Sequence, residues 1–118
     1  MTLVEAARWG PSCFNSQPWR FVYAVKDSAH WPAMLKLLMD MNQAWAQHAG
    51  ALIAVVSRNT FEANNNPAPT HSFDTGAAWM SLALQARAMG LASHAMWGIE
   101  HENIPKALNL PDNMQIQA

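Results

Sequence analysis

Pro11-Ser12-Cys13-Phe14-Asn15-Ser16-Gln17-Pro18-Trp19 joins two stretches of opposite character, and its reading decides the fold. Two prolines stiffen the segment, so its remaining backbone amides and the side chains of Ser12, Asn15 and Gln17 are held in fixed directions. A polyoxygenated ligand needs such preset donors and acceptors. Taken alone, the same composition equally describes a turn between a helix and a strand.

The flanks are helix and strand. Upstream, Thr2 followed by Glu5 reads as a capping box that opens a short helix through Arg8, with Leu3, Val4 and Ala7 as its apolar face and Gly10-Pro11 as its stop. Downstream, Trp19 to Val25 is rich in β-branched and aromatic residues and reads as a strand that Lys26-Asp27-Ser28 ends.

Further along, Trp31-Pro32 places proline in a first helical turn, and Met34, Leu35, Leu38 and Met41 recur at helical spacing toward Asn42. A second short helix is expected over Gln43 to His48. Ala51 to Val56 is a continuous apolar run, the pattern of a central strand buried on both faces. Asn59 to Thr70, with its run Asn64-Asn65-Asn66-Pro67-Ala68-Pro69, is the one long loop, of the kind that often borders a site. His71 to Met89 is helical, but Phe73, Ala77, Trp79, Met80, Leu82, Leu84, Ala86 and Ala88 leave few polar positions. A helix apolar all round is a buried one, and this one predicts an obligate dimer. After Gly90 as a C-cap, a strand is expected over Leu91 to Met96, a helix over His101 to Leu110, and the start of a strand over Met114 to Ala118. Separated helices and strands in this order predict an α+β class.

Composition removes several functions. The 118 residues suffice for one domain and not two. The seven Lys and Arg are scattered along the chain, which argues against nucleic acid as a partner. Cys13 is the only cysteine, so an intrachain disulfide and a cysteine-based zinc site are excluded, and a reducing compartment, the cytoplasm, is the default. The five histidines form no i, i+4 pair, and no metal is assigned. Cys13 has no histidine placed near it by sequence and reads as an inert thiol. The N-terminus lacks the pattern of a signal peptide, and no stretch reaches the length of a membrane span. Apolar residues make up 51% and charged ones 13%, with six Trp and eight Met, so part of the apolar surface should be covered by a partner subunit or a flat ligand.

Ala6-Ala7-Arg8-Trp9-Gly10 through Val25 is similar to a segment of the nitroreductase family, in which a helix ends, a P-S-x-x-N-x-Q-P-W loop follows and a strand begins. Two further stretches resemble the family in order. Asn42-Gln43-Ala44-Trp45-Ala46 stands before the buried strand, where the family places an asparagine near the polar edge of the flavin; a solvated asparagine at a helix start reads equally well. Asp74-Thr75-Gly76 opens the long helix, followed by Ala88-Met89-Gly90-Leu91 and His94-Ala95-Met96-Trp97-Gly98, like the family's D-x-G-x-A helix, its GL turn and a loop whose backbone N–H groups face the flavin. Trp97 departs from the Gly of relatives with Met-Gly-Gly, and an indole there could narrow the pocket or stack in it.

The resemblance implies an α+β nitroreductase fold, a central sheet flanked by helices, in an intertwined homodimer with FMN at two interface sites. The residues it places at FMN are Pro11, Ser12, Cys13, Asn15 and Gln17 from one subunit, and Asn42, Met96, Trp97 and Gly98, with the Met96 to Gly98 stretch coming from the other. It implies electron transfer from NAD(P)H to a nitroaromatic, quinone or similar electron-poor acceptor, chemistry that belongs to the flavin, so no catalytic acid or base is named. It also makes residues 1–118 a single nitroreductase-like domain that looks short at both ends. The family begins with an Arg-rich segment on the FMN phosphate and ends with a strand and tail carrying another basic contact. Two rival readings stand beside this one: a non-catalytic nitroreductase-fold domain without cofactor, and a small α+β binding module whose asparagine loop recognises a partner.

Overall fold

Alternation within the strands decides which face each helix covers. A computed structural model describes residues 2–118. Strand β1 (Trp19–Val25) pairs antiparallel with β2 (Ala51–Arg58), Trp19 opposite Ser57 and Val25 opposite Ala51, and β2 pairs antiparallel with β3 (Met114–Ile116), Val56 opposite Ile116. The apolar run is therefore the middle strand of three. Trp19, Phe21 and Ile53 point to one face, where they meet Ala7 of helix α1 (Thr2–Arg8) and Ala78 and Leu82 of helix α4 (His71–Ala88). Ala24, Leu52, Ala54, Val56 and Ile116 point to the other, beneath helices α2 (Trp31–Leu35), α3 (Asp40–Ala46) and α5 (Ile104–Ala107), which bury Trp31, Met34, Ala46 and Ile104. Period-two patterning thus gives each face of the sheet its own apolar layer.

A polar link ties the layers at the end of β2. Ser57 is fully buried; its Oγ accepts from Gln117 Nε2 at 2.9 Å and shares a hydrogen bond with Nδ1 of His71, 2.8 Å away at the start of α4. Each buried group in the link is thereby satisfied.

Four expectations are corrected here. The helix expected from Trp31 toward Asn42 breaks after Leu35, because Leu38 forms a β-bridge with Ile99 and the Met39 N–H is taken by Gly98 O; a new helix starts at Asp40 and not at Gln43. Leu91 to Met96 takes no regular structure and joins no strand ladder among the described residues. The helix expected over His101 to Leu110 shortens to Ile104–Ala107. Helix α4 is not buried all round: Asp74, Thr75, Ala78, Leu82 and Ala86 are buried, whereas Phe73, Met80 and Leu84 are 82%, 48% and 64% exposed.

Gly10 marks where the chain leaves α1 across α4. A Cβ there would stand 3.0 Å from Ala78 Cα and 3.1 Å from Ala78 N, backbone atoms that cannot swing aside. Gly10→Ala is expected to lower stability by about 1–3 kcal/mol through overpacking. Urea unfolding checks this, and an unchanged midpoint would show that the α1–α4 contact is loose.

Candidate functional site

The Pro11–Gln17 loop begins with an amide pinned to α4. Ser12 is extended, and the Cys13 N–H donates to Asp74 Oδ2 at 3.0 Å. A single 3-10 turn, Cys13–Asn15, follows, with the Asn15 N–H donating to Ser12 O and the Ser16 N–H to Cys13 O, each at 3.0 Å. Phe14, Asn15 and Gln17 have φ of 51°, 54° and 47°. Left-handed backbone is uncommon outside glycine, tolerable for asparagine and costly for a bulky residue such as Phe14. Strain of this kind clusters at functional sites and persists only where neighbours impose it.

Those neighbours are polar. Ser12 Oγ accepts from the Gln17 N–H, Gln17 Nε2 donates to Asn15 Oδ1, both at 3.0 Å, and Arg20 Nη1 donates to Gln17 O at 3.0 Å and Trp19 O at 2.7 Å. Phe14, 89% exposed, meets Phe61 edge to face at 5.8 Å, which brings the loop of residues 59–70 beside it. Among the described residues, Asn15 Nδ2, Gln17 Oε1 and the Ser12 hydroxyl proton have no partner. Prolines at 11 and 18 bracket this polar surface, and Pro18 is buried against the start of β1.

A second group forms where α3 begins. Asn42 Nδ2 donates to Gly98 O at 2.9 Å, the Met39 N–H donates to the same oxygen at 3.0 Å, and Trp45 Nε1 donates to Asn42 Oδ1 at 3.3 Å. Trp97, 68% exposed, leans on the His101 ring at 4.2 Å, and Trp45 on His94 at 5.4 Å. The backbone N–H groups from Ala92 to Gly98 donate to nothing among the described residues. They form a row of free donors with indole and imidazole rings alongside.

Met96 lines a cavity of about 520 Å³ between the sheet, α4 and the segment after Gly90, together with Trp45, Ile53, Trp79, Leu82 and His94. A Cβ at Gly98 would collide with Asn42 Nδ2, so Gly98→Ala must displace that amide. The loss expected is about 1–3 kcal/mol for a half-buried polar group deprived of its partner. Thermal unfolding measures it, and an unchanged melting temperature would contradict the Asn42–Gly98 link.

The structure therefore brings Pro11, Ser12, Cys13, Asn15 and Gln17 together, and brings Asn42, Met96, Trp97 and Gly98 together. No hydrogen bond, ring contact or cavity lining joins the two groups among the described residues. Asp74 and Phe61 were not marked as site residues by sequence. The signal for Asp74 was present: a carboxylate inside a helix otherwise short of polar positions. The described residues contain no group of three or more His, Cys, Asp and Glu able to hold a metal ion, and no helix long and apolar enough to cross a membrane.

An antiparallel sheet between two helical layers, with a strained polar loop at a helix-to-strand junction, defines an α+β protein. A model of the nitroreductase family matches residues 30–118, and the chain belongs to that family. The Pro11–Gln17 loop lies outside that match but inside the structural ones. An oxidoreductase containing FMN is 48% identical, with a TM-score of 0.94 over 99% of this chain and 61% of that one. A candidate nitroreductase in complex with FMN from Exiguobacterium sibiricum 255-15 is 26% identical, TM-score 0.80, over 97% of this chain and 70% of its own. A nitroreductase family protein from Clostridium difficile 630, at 22% identity and TM-score 0.75 over 97% and 63%, shares the fold. The chain thus spans about 61% of the length of the FMN-containing oxidoreductase. No curated protein matches it.

Proposed function

We propose that residues 1–118 act as one nitroreductase-like domain of a cytoplasmic, FMN-dependent oxidoreductase, which passes electrons from NAD(P)H to a nitroaromatic, quinone or similar electron-poor acceptor. The observation that carries this reading is the loop itself. Phe14, Asn15 and Gln17 are all left-handed, side-chain bonds hold the last two, and Asn15 and Gln17 keep polar atoms to spare. Three such residues within four positions, one of them a phenylalanine, set this loop apart from the isolated left-handed Asp27, Asn65 and Asn109 elsewhere in the chain, and clustered strain of this kind marks functional sites. Support comes from the second group, where the free amides of residues 92–98 and the remaining N–H of Asn42 offer donors to the nitrogen and oxygen atoms along the edge of a flavin ring. Indole surfaces at Trp45 and Trp97 suit a flat aromatic molecule.

In the reading proposed here the two groups belong to one site shared across a homodimer, the loop from one subunit and the Asn42–Gly98 group from its partner. FMN, when bound, supplies the redox chemistry. The chain's own task is to orient the ring with Asn15, Gln17 and Asn42, to offer backbone donors from Met96, Trp97 and Gly98, and to exclude water with Trp97. No side chain is assigned as acid or base. Arg20 and Arg58 stand within 3.9 Å and 3.7 Å of the Glu62 carboxylate and are engaged there, so neither is assigned to the phosphate.

Asn15→Ala and Asn42→Ala are each expected to weaken FMN binding by about 1–3 kcal/mol, the cost of one buried partner left unmatched, while unfolding stays cooperative. Fluorescence titration with FMN measures this, and unchanged affinity in both variants would return the two asparagines to purely structural roles. Under anaerobic conditions the bound flavin should bleach with NADH or NADPH and recover its colour on addition of a quinone. Flavin that neither nicotinamide bleaches would contradict the proposed donor.

A further inference from the structure

Asp74 stands apart from the other carboxylates of the chain. It is 5% exposed, and no Lys, Arg or His lies within ion-pair distance of it among the described residues. Its Oδ2 accepts from the Cys13 N–H at 3.0 Å and from the Thr70 hydroxyl at 3.0 Å. It sits in the first turn of α4, where the free N–H groups of a helix start favour a negative charge.

One turn further along the same face, Ala78 touches the backbone at Gly10. Positions four apart on a helix are stacked above one another. The chain from Gly10 to Cys13 is therefore laid along α4 and fixed at two points, by a small-residue contact and by a hydrogen bond to a buried carboxylate. The next residues are the left-handed Phe14, Asn15 and Gln17. The bond between the Asn15 and Gln17 side chains is exposed and joins neutral groups, which water can replace at little cost. The bond to Asp74 is sheltered from water, and so is the stronger restraint.

We infer that Asp74 is a positioning residue for the proposed flavin site: through the Cys13 amide it holds the Pro11–Gln17 loop in the conformation that presents Asn15 and Gln17, without touching the ligand itself. This rests on the flavin reading above. When the acceptor is removed, the Cys13 N–H loses its partner and the strained residues relax toward ordinary backbone. The fraction of chains ready to bind then falls, and the apparent affinity falls with it.

The experiment compares Asp74→Ala, Asp74→Asn and Cys13→Pro in the full chain. Asparagine keeps an oxygen that can accept both bonds, so it should bind FMN within about threefold of the parent, whereas alanine should raise the dissociation constant about tenfold or more. Cys13→Pro deletes the donating N–H while leaving α4 untouched, and Ser12 already has the extended backbone that precedes proline. It should match the alanine variant, and combining the two should add no further loss, because both remove the same bond. In the flavin-free protein, hydrogen exchange at the amides of Asn15, Ser16 and Gln17 should accelerate about fivefold or more in Asp74→Ala and Cys13→Pro but not in Asp74→Asn. Parent-like FMN affinity in the alanine variant, losses that add, or unchanged exchange would each overturn the proposal. A parent chain that binds no FMN would instead sink the flavin reading, and the exchange rates would still decide whether Asp74 sets the loop.

Discussion

Leu84→Arg should convert a dimer into monomers. Phe73, Met80 and Leu84 fall on one side of α4, opposite the buried row Asp74, Ala78, Leu82 and Ala86, and they are 82%, 48% and 64% exposed in the single chain. An unbroken apolar stripe of this length on a long helix is costly to leave in water. In the homodimer proposed above it faces its own copy, and a twofold interface counts every substitution twice. Losing one Leu per subunit and burying an unpaired guanidinium in its place should cost about 4 kcal/mol or more per dimer, roughly a thousandfold in the dissociation constant. Sedimentation velocity reads the change. A parent chain that is already a stable, soluble monomer at micromolar concentration would remove the dimer from the account.

Trp19→Ala should be the most damaging single change to the fold. The indole is 7% exposed at the first position of β1, packed with Ala7, Ala78 and Leu82, so it joins α1, the sheet and α4 at once. Truncating a buried aromatic of this size costs about 3–5 kcal/mol. That is a large share of the about 5–15 kcal/mol by which a small domain is stable. The residue also follows directly on the polar loop, so the loop should lose its anchor. Denaturant unfolding followed by far-UV circular dichroism tests this, and a loss below about 1 kcal/mol would mean that the layer between sheet and α4 is not the core described here.

Much of the framework could be read from local pattern. β1, β2 and the limits of α4 were legible because alternation, a continuous apolar run and a glycine after the last helical residue are signals within a few residues of where they act. The break after Leu35 was not, because its cause is distant: Leu38 pairs with Ile99 and Met39 with Gly98, some sixty residues away, and tertiary pairing overrode a sound helical period. Leu91 to Met96 has strand-like residues but no neighbour among the described strands, and a strand is defined by its partner.

Exposure on α4 was hidden for a related reason. Apolar residues on every side announce burial without saying which chain supplies the cover. For the candidate site, residue types and order revealed the two polar groups, while the left-handed backbone of Phe14 and the hold of Asp74 on Cys13, 61 residues apart, became visible only in three dimensions.

A site shared between two copies of the chain is the claim at the centre of this account, and subunit mixing tests it most directly. Chains carrying Asn15→Ala and chains carrying Asn42→Ala, each with a different affinity tag, are unfolded together, refolded and purified as heterodimers. If the loop of one subunit faces the Asn42–Gly98 group of its partner, every heterodimer holds one site with both substitutions and one with neither. The expected result is one FMN per heterodimer bound as tightly as by the parent protein, at a flavin concentration that leaves both parental variants largely empty. Heterodimers that bind no more flavin than the variants from which they were made would contradict it.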